Sequence, residues 1–476
     1  MQTLIPEPVT NIAHPVGRRF GRVLGFGLTP RALLLLAAAA LLSVPAFLHP
    51  GTPWLMFGVD ALLLVTCLAD AATLPAPERF SVTRRFVHAP EIGRAVEVEL
   101  SVQQDGGGVS TLRLIDDLHT SIQHGAAPLH AVSYPNDLVG VQYAAVPSQR
   151  GDVLLGGAYV RYRSVLGLAE RWSVADLQQT VRVYAAGEQA SESASIYLLR
   201  ARQIEMEKRR LRRIGLGREF ETMRDYQPGD EMRNISWTAT ARHNRLITQQ
   251  FTTERSQQVW IVIDAGRLSR TAYRMEAVLG NGGHDEAHVV TQLDQAASAA
   301  GLLARVVGQS GDKLALLTYG RRVQQQLLPG AGHLHLRRVL DALSQVRSEA
   351  AEADHLLAAT RLRQLQRRRG LVLWVTEMTE SVGRPEIVAA VSSLVRRHLV
   401  VLVLLQHPEL TALAEGAPAD ARGMYRSTAA QEMLEQRRAT LATLRAQGVL
   451  VIETTAAGIA ADAISQYLEI KAQGRL

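Results

Sequence analysis

Three kinds of hydrophobic pattern follow one another along the chain. Two continuous apolar runs come first, at about 32–48 and about 53–69, the second reaching toward Leu74. Each is close to the roughly 20 residues that cross a bilayer as a helix. From 80 to 185 apolar and polar residues alternate in short stretches. Residues 95–102 read AVEVELSV, the period of a half-buried strand. Similar stretches recur at 111–115, 140–146, 153–163 and 180–184, with Gly and Pro between them. Short strands so spaced predict an all-β, sandwich-like domain. From Val259 onward, Val/Leu-rich runs at 259–263, 313–318, 371–375, 399–405 and 449–452 alternate with helical patterns near 289–307, 334–346, 353–367, 385–396, 429–446 and 456–472. Strands apolar on both faces, with helices between them, predict an α/β domain on a mainly parallel sheet.

Charge adds topology to this outline. Arg18, Arg19, Arg22 and Arg31 precede the apolar pair, Arg79, Arg84 and Arg85 follow it, and the connecting residues 49–52 carry no charge. The positive-inside rule then predicts a cytoplasmic tail at 1–31, a transmembrane helical hairpin at 32–74, and soluble domains in the cytoplasm of a bacterial inner membrane. The first run starts late, lacks a cleavage site and is followed at once by a second, so it does not read as a signal peptide. Asp60 within the second run is costly in lipid. It faces the partner helix or a neighbouring subunit, or lies near the outer interface. The single cysteine, Cys67, excludes an intrachain disulfide. The net charge of +7 is concentrated in clusters, most densely at Arg200, Arg202, Lys208, Arg209, Arg210, Arg212 and Arg213. Residues 190–255 thus form a basic helical linker followed by a charged motif. The cations serve either anionic lipid headgroups or a solvated helix face. A second basic run, Arg361, Arg363 and Arg367 to Arg369, reads as a solvated helix end, and no nucleic-acid partner is expected.

The charged motif is the most specific stretch. Glu219, Arg224, Tyr226, Gly229, Asp230, Arg233, Trp237 and Arg242 fall in one run around a Pro228-Gly229-Asp230 turn, and the strand VWIVID follows, ending in Asp264. The pattern G-x-E-F-x-x-x-R-x-Y-x-x-G-D-x-x-R-x-I-x-W-x-x-x-A-R resembles the DUF58 family. GDKLALLTY at 311–319 and YLEIKAQGRL at 467–476 resemble further pieces of that family. The resemblance implies membrane-anchored proteins with a von Willebrand factor A-like domain, here 256–476, often encoded beside MoxR-type AAA+ ATPases.

That fold carries a metal-ion-dependent adhesion site, in which carboxylates and hydroxyls hold Mg²⁺. Here Asp264 matches, but Gly266 and Leu268 stand at the serine positions, and Thr376-Glu377 stands where Thr-Asp is usual. The site is therefore expected to be degenerate, with no metal or cofactor. Two readings of Arg267 stand: its guanidinium replaces the cation between Asp264 and Glu377, or it points to solvent. Two readings of the motif also stand. One is a brace, with Arg233 and Arg242 facing Glu219 and Asp230 and Trp237 as a packing anchor. The other is a partner-docking surface. His284 and His288 share a helix-like spacing, but Asp285 stands where the zinc-protease motif needs Glu, and Gly-rich 280–283 reads as a loop. No phosphate loop, nucleophile elbow or paired cysteines are present. The expected function is a non-enzymatic, membrane-bound adaptor that works with a MoxR-type ATPase on envelope complexes. The alternative is a Mg²⁺-dependent adhesion module that binds a partner's carboxylate.

Overall fold

A computed structural model describes residues 16–475, with breaks at 42–51, 107–109, 125–128, 135, 186–195, 198, 201–202, 204–218, 229, 253–256, 276–287, 379–385, 407, 419 and 456–457. The chain divides into two compact units, 1–184 with 276–288, and 185–275 with 289–476.

The first unit is a β-sandwich rooted on helices. One sheet holds, in spatial order, β1 (Val16–Arg19), β3 (Phe80–Phe86), β4 (Val96–Gln104), β8 (Leu138–Pro147) and β6 (Ile122–His124). The other holds β2 (Arg22–Leu28), β11 (Ala169–Ala175), β10 (Ala158–Arg163), β5 (Ser110–Asp116) and β7 (Leu129–Ser133). A short pair, β9 (Gly151–Leu155) and β12 (Gln179–Val183), completes the unit. All recorded ladders in it are antiparallel. Phe80, Val82, Leu100 and Val102 from one sheet meet Leu112, Leu114, Val160 and Tyr162 from the other in a shared core. The alternation seen in 95–102 is the inward set of β4: Val96, Val98, Leu100 and Val102 are all buried. The Arg150-Gly151-Asp152 tripeptide is a strand start. Gly151 takes φ +109°, and Asp152 pairs with Arg182.

Two expectations about the amino-terminal region are overturned. Residues 16–28 are not a tail, because β1 pairs with β3 and β2 pairs with β11 inside the sandwich. Nor, among the described residues, are there two membrane-length helices. The first apolar run is helical over Pro30–Leu41 (α1), with 42–51 outside the described residues, and the second forms α2, Thr52–Ala72. Among the described residues one helix, Pro53–Ala72, is long and apolar enough to cross a membrane. The twelve described residues of α1, at 1.5 Å each, reach about 18 Å, against a hydrocarbon core of about 30 Å. Arg84, taken from the sequence as a flanking surface cation, is instead buried in the sandwich. Its guanidinium pairs with Asp116 and donates to the carbonyls of Leu177 (3.3 Å) and Gly156 (3.0 Å). Tyr143 donates to the same carboxylate, and burial followed by the Asp116 charge pushes its phenol far up.

The second unit holds a mixed six-stranded sheet. Its order is β19 (Val323–Gly330), β18 (Lys313–Tyr319), β15 (Gln258–Asp264), β20 (Leu371–Thr376), β21 (Leu399–Leu405) and β22 (Leu450–Thr454). Five strands are parallel, and β19 is an antiparallel edge. The antiparallel edge, which the sequence pattern did not predict, makes the sheet mixed, and the von Willebrand A-like assignment is withdrawn with it. The sequence QQQ within VQQQLLPG hid the edge strand, because it lacks the apolar run that marked the others. Alternate side chains of the buried strands enter two cores. Val259, Ile261 and Ile263 pack with α4 (Gln292–Gln309), α5 (His333–Gln345) and α10 (Ile459–Gln473). Trp260 and Val262 pack with α6 (His355–Leu365), α7 (Glu386–Val395) and the end of α9 (Ala421–Ala446). A small helix, α8 (Pro408–Glu415), precedes α9.

At the amino ends of the strands lies a buried ion pair. Asp312, just before β18, accepts from Lys471 Nζ (2.9 Å), Tyr467 Oη (2.6 Å) and Gln257 N (3.0 Å). Lys471 also donates to the Ser310 carbonyl. The pair joins the two sequence pieces GDKLALLTY and YLEIKAQGRL. Removing one member strands a buried charge, so Lys471→Ala should lower unfolding stability by about 3–5 kcal/mol, whereas Asp312→Asn with Lys471→Met should recover much of it. Urea denaturation of the full chain in detergent checks this. Equal losses in the single and the double variant would contradict it.

Candidate functional site

The sheet changes winding direction at β15. From β15 the chain crosses through α4 to β18 on one side, and it later reaches β20 on the other. Such a reversal opens a crevice outside the carboxyl ends of the two central strands. Asp264 ends β15 there and Thr376 ends β20, with Glu377 next to it. A small pocket is lined by Asp264, Ser269, Gln292, Thr376 and Glu377, with Leu293, Ala296, Val375 and Leu405.

Asp264 is held from two sides. Its Oδ1 accepts the Gly266 N–H at 2.8 Å, and its Oδ2 accepts the Thr376 hydroxyl at 2.7 Å. Burial raises its pKa above the ordinary carboxylate range and the Glu377 charge adds to this, while His355 and the two hydrogen bonds pull it back. Below it, Trp374 Nε1 donates to the Tyr319 hydroxyl at 2.9 Å. The Tyr319 hydroxyl also lies 2.7 Å from His355 Nδ1, within hydrogen-bond distance. Burial lowers the His355 pKa, against the pull of Asp264. Burial also raises the Tyr319 phenol, and the Asp264 charge reinforces it. Tyr319, Trp374 and His355 were missed in the sequence. Each looks like ordinary core, and their partners are 36 and 55 residues away.

The donor set does not fit a resident Mg²⁺. A Cβ on Gly266 would sit 2.8 Å from Ala353 N, so a serine cannot occupy that position without a shift of the neighbouring loop. The Arg267 N–H donates to the Ala351 carbonyl at 2.8 Å, locking the two loops together. Leu268 offers no side-chain oxygen, and Ser269 Oγ donates to the Gly266 carbonyl at 2.7 Å. Two donors already occupy Asp264. Among the described residues no group of three or more His, Cys, Asp or Glu could hold a metal ion. Arg267 is half exposed and pairs with exposed Glu352 at 3.4 Å. Its guanidinium is thus directed to a surface carboxylate, a contact worth little.

The charged motif folds as two strands around a short helix: β13 (Glu219–Asp225), α3 (Trp237–His243) and β14 (Ile247–Thr252). Its pairings are local. Arg224 reaches Asp230 at 2.7 Å, Arg233 reaches Glu231 at 2.5 Å, and Arg245 reaches Asp225 at 3.0 Å. Arg224 and the Gln227 N–H hold the Asp230 turn, and Tyr226 N donates to the Leu246 carbonyl at 2.9 Å. Among the described residues Asp230 takes Arg224 and Arg233 takes Glu231, so the expected Arg233–Asp230 facing is not the one recorded, and the expected pairing with the Glu219 side chain lies outside the described residues. Arg233 and Arg242 are exposed, and Glu219 is described only through its backbone pairing with Thr252. Trp237 is no packing anchor, since it is 68% exposed at the first turn of α3. Most of the preceding basic linker lies outside the described residues, as do His284 and its neighbours; His288 begins a strand, β17 (His288–Thr291), paired with β16 (Ala272–Met275).

Residues 222–420 match the family model described as "Protein of unknown function DUF58". This segment belongs to the DUF58 family. It takes in most of the charged motif and the whole crevice. Uncharacterized proteins of Mycobacterium bovis and Mycobacterium tuberculosis are 24% identical to the chain over 196 residues. That match covers 41% of this chain and 56% of theirs, so the chain spans about half the length of these relatives. Among solved structures, the conserved hypothetical protein BatB from Bacteroides thetaiotaomicron matches 46% of this chain and 100% of its own, at 14% identity and a TM-score of 0.28. An uncharacterized membrane spanning protein from Vibrio fischeri matches 44% of this chain and 96% of its own, at 13% identity and a TM-score of 0.17. At such scores neither likeness bears on the fold.

Asp264 gives the DUF58 segment a pH signature. Its folded pKa lies above the unfolded value, so its favourable contribution is complete in acid and is lost as pH rises through the raised folded value. At neutral pH the buried carboxylate is a cost. Asp264→Asn keeps an acceptor for Gly266 N–H and a partner for Thr376. It should raise the melting temperature at pH 8, by an amount that shrinks as pH falls toward the ordinary carboxylate range. Melting curves across that window check it, and a pH-independent difference would contradict the account.

Proposed function

We propose that this chain is a membrane-anchored adaptor that docks a MoxR-type AAA+ ATPase for the assembly or remodelling of envelope protein complexes. ATP is hydrolysed by the partner, and the chain supplies a surface. The observation that carries this reading is the exposure of Trp237. It stands out with Met232, also exposed, beside the exposed cations Arg233, Arg242 and Arg245. Tryptophan, methionine and arginine are enriched at protein interfaces, and tryptophan and arginine are the residue types that most often carry binding energy there. The local ion pairs of the motif hold this surface in shape, which joins the two earlier readings of brace and docking surface.

The adaptor sits in the bacterial cytoplasmic membrane with its soluble units on the cytoplasmic side. Helix α2 supports the membrane attachment. The exposed cations Arg18, Arg22, Arg31, Arg79 and Arg85 near the two ends of the apolar segment support the side.

The test is retention of the ATPase by the full-length protein extracted from its native membrane, with Mg²⁺ and with chelator. Trp237→Ala should weaken retention by about 2 kcal/mol, roughly thirtyfold, and chelator should leave it unchanged. Retention that is indifferent to Trp237 would remove the proposed docking surface. Retention that needs Mg²⁺ and Asp264 would favour carboxylate-binding adhesion instead.

A further inference from the structure

The loop between β10 and β11 is gripped from two directions. Asp70, in the last turn of α2, is buried and accepts from Ser164 Oγ (2.5 Å), Leu166 N (2.8 Å) and Leu168 N (2.9 Å). Val165 N donates to Thr73 Oγ1 at 3.4 Å. From the other side, Thr29 Oγ1 donates to the Gly167 carbonyl (2.6 Å) and Thr29 N to the Leu168 carbonyl (2.9 Å). Thr29 immediately precedes α1. Gly167 turns the loop at φ +73°, with the Arg31 guanidinium beside it. A buried carboxylate and a buried threonine thus fix five residues at the roots of both apolar helices.

That fixing leaves two apolar side chains outside. Val165 is 67% exposed and Leu166 58% exposed, at the point where the apolar helices leave the sandwich. Leu28, directly before Thr29, is also exposed. We infer that the Val165–Leu166 tip is a membrane-interface contact, held by Asp70 and Thr29 so that it enters the headgroup–acyl boundary beside the helices. The inference rests on the reading of α2 as a membrane helix. Its occupant is lipid because the loop is bonded through Asp70 to the end of that helix and lies beside Arg31 of α1, a cation placed for lipid phosphate. Apolar side chains at this depth gain burial without crossing the bilayer, and they fix how far the sandwich stands from the membrane.

The experiment uses the full-length protein with Cys67→Ala, reconstituted in vesicles of phosphatidylcholine and phosphatidylglycerol. A polarity-sensitive fluorophore is placed on a single cysteine in three variants. Leu62→Cys reports the exposed middle of α2, and Leu166→Cys reports the tip. Leu154→Cys reports an exposed residue of β9, near the far end of β10, which at about 3.3 Å per residue is a strand of about 20 Å. Spin labels are carried on the headgroup and deep in the acyl chain of separate lipids. The expected result is deep quenching at Leu62, shallow quenching at Leu166 about twofold or more above that at Leu154, and little at Leu154. Quenching at Leu62 with none at Leu166 would overturn the interface contact and leave the membrane helix standing. No quenching at Leu62 would overturn the membrane reading and the inference together. A Leu166 probe shielded only at high protein-to-lipid ratio would identify a second copy of the chain as the occupant, and would likewise overturn the inference.

Discussion

The α/β unit depends on one carboxylate. Asp312 is inaccessible to solvent and lies where three pieces of chain converge: the entry to β15 through Gln257, the entry to β18, and the final helix through Tyr467 and Lys471. Its attraction for Lys471 is not a simple gain, because both charges were taken out of water. What the pair enforces is position. The last helix must lie across the amino ends of the strands in one register, and only then is each charge satisfied. The sheet so aligned brings Asp264 and Thr376 within hydrogen-bond reach at the opposite end, 112 residues apart in sequence.

Much of this was legible in the residues, and the failures have physical causes. Each of the buried parallel strands showed as a short Val/Leu run because both of its faces are covered. The polar edge strand β19 and the amino-terminal strands β1 and β2 did not show. Their side chains are mostly half or fully exposed, so local pattern carried little signal. Arg84 misled for a related reason. An arginine followed by Arg85 reads as surface, and only the distant Asp116 makes its burial tolerable. In the crevice, Asp264 and Thr376 were visible because they end recognisable strands. Tyr319, Trp374 and His355 join them through tertiary contacts that no spacing rule records.

The charged motif shows how a dense set of charged and aromatic residues can divide its labour. The aspartates and some arginines close short-range pairs that hold turns, while Trp237 and Met232 are left in solvent. An exposed tryptophan gains nothing for the isolated fold, since its large apolar surface stays hydrated. The crevice runs the other way: its carboxylate is buried and already bonded. The chemistry-bearing residues of the crevice are therefore inward, whereas the motif exposes aromatic, thioether and guanidinium groups.

The apolar segment is spliced into the sandwich between strands: β1 and β2 lie before it, and β3 and β11, their pairing partners, come after it. This sets an order of events during synthesis. The sandwich cannot close until the apolar segment has emerged and the later strands have been made. A fragment that starts after the apolar segment would present β3 and β11 as bare edges, the kind of surface that seeks another chain's backbone. The apolar segment and the sandwich are in this sense one folding problem, and neither can be trimmed away to study the other.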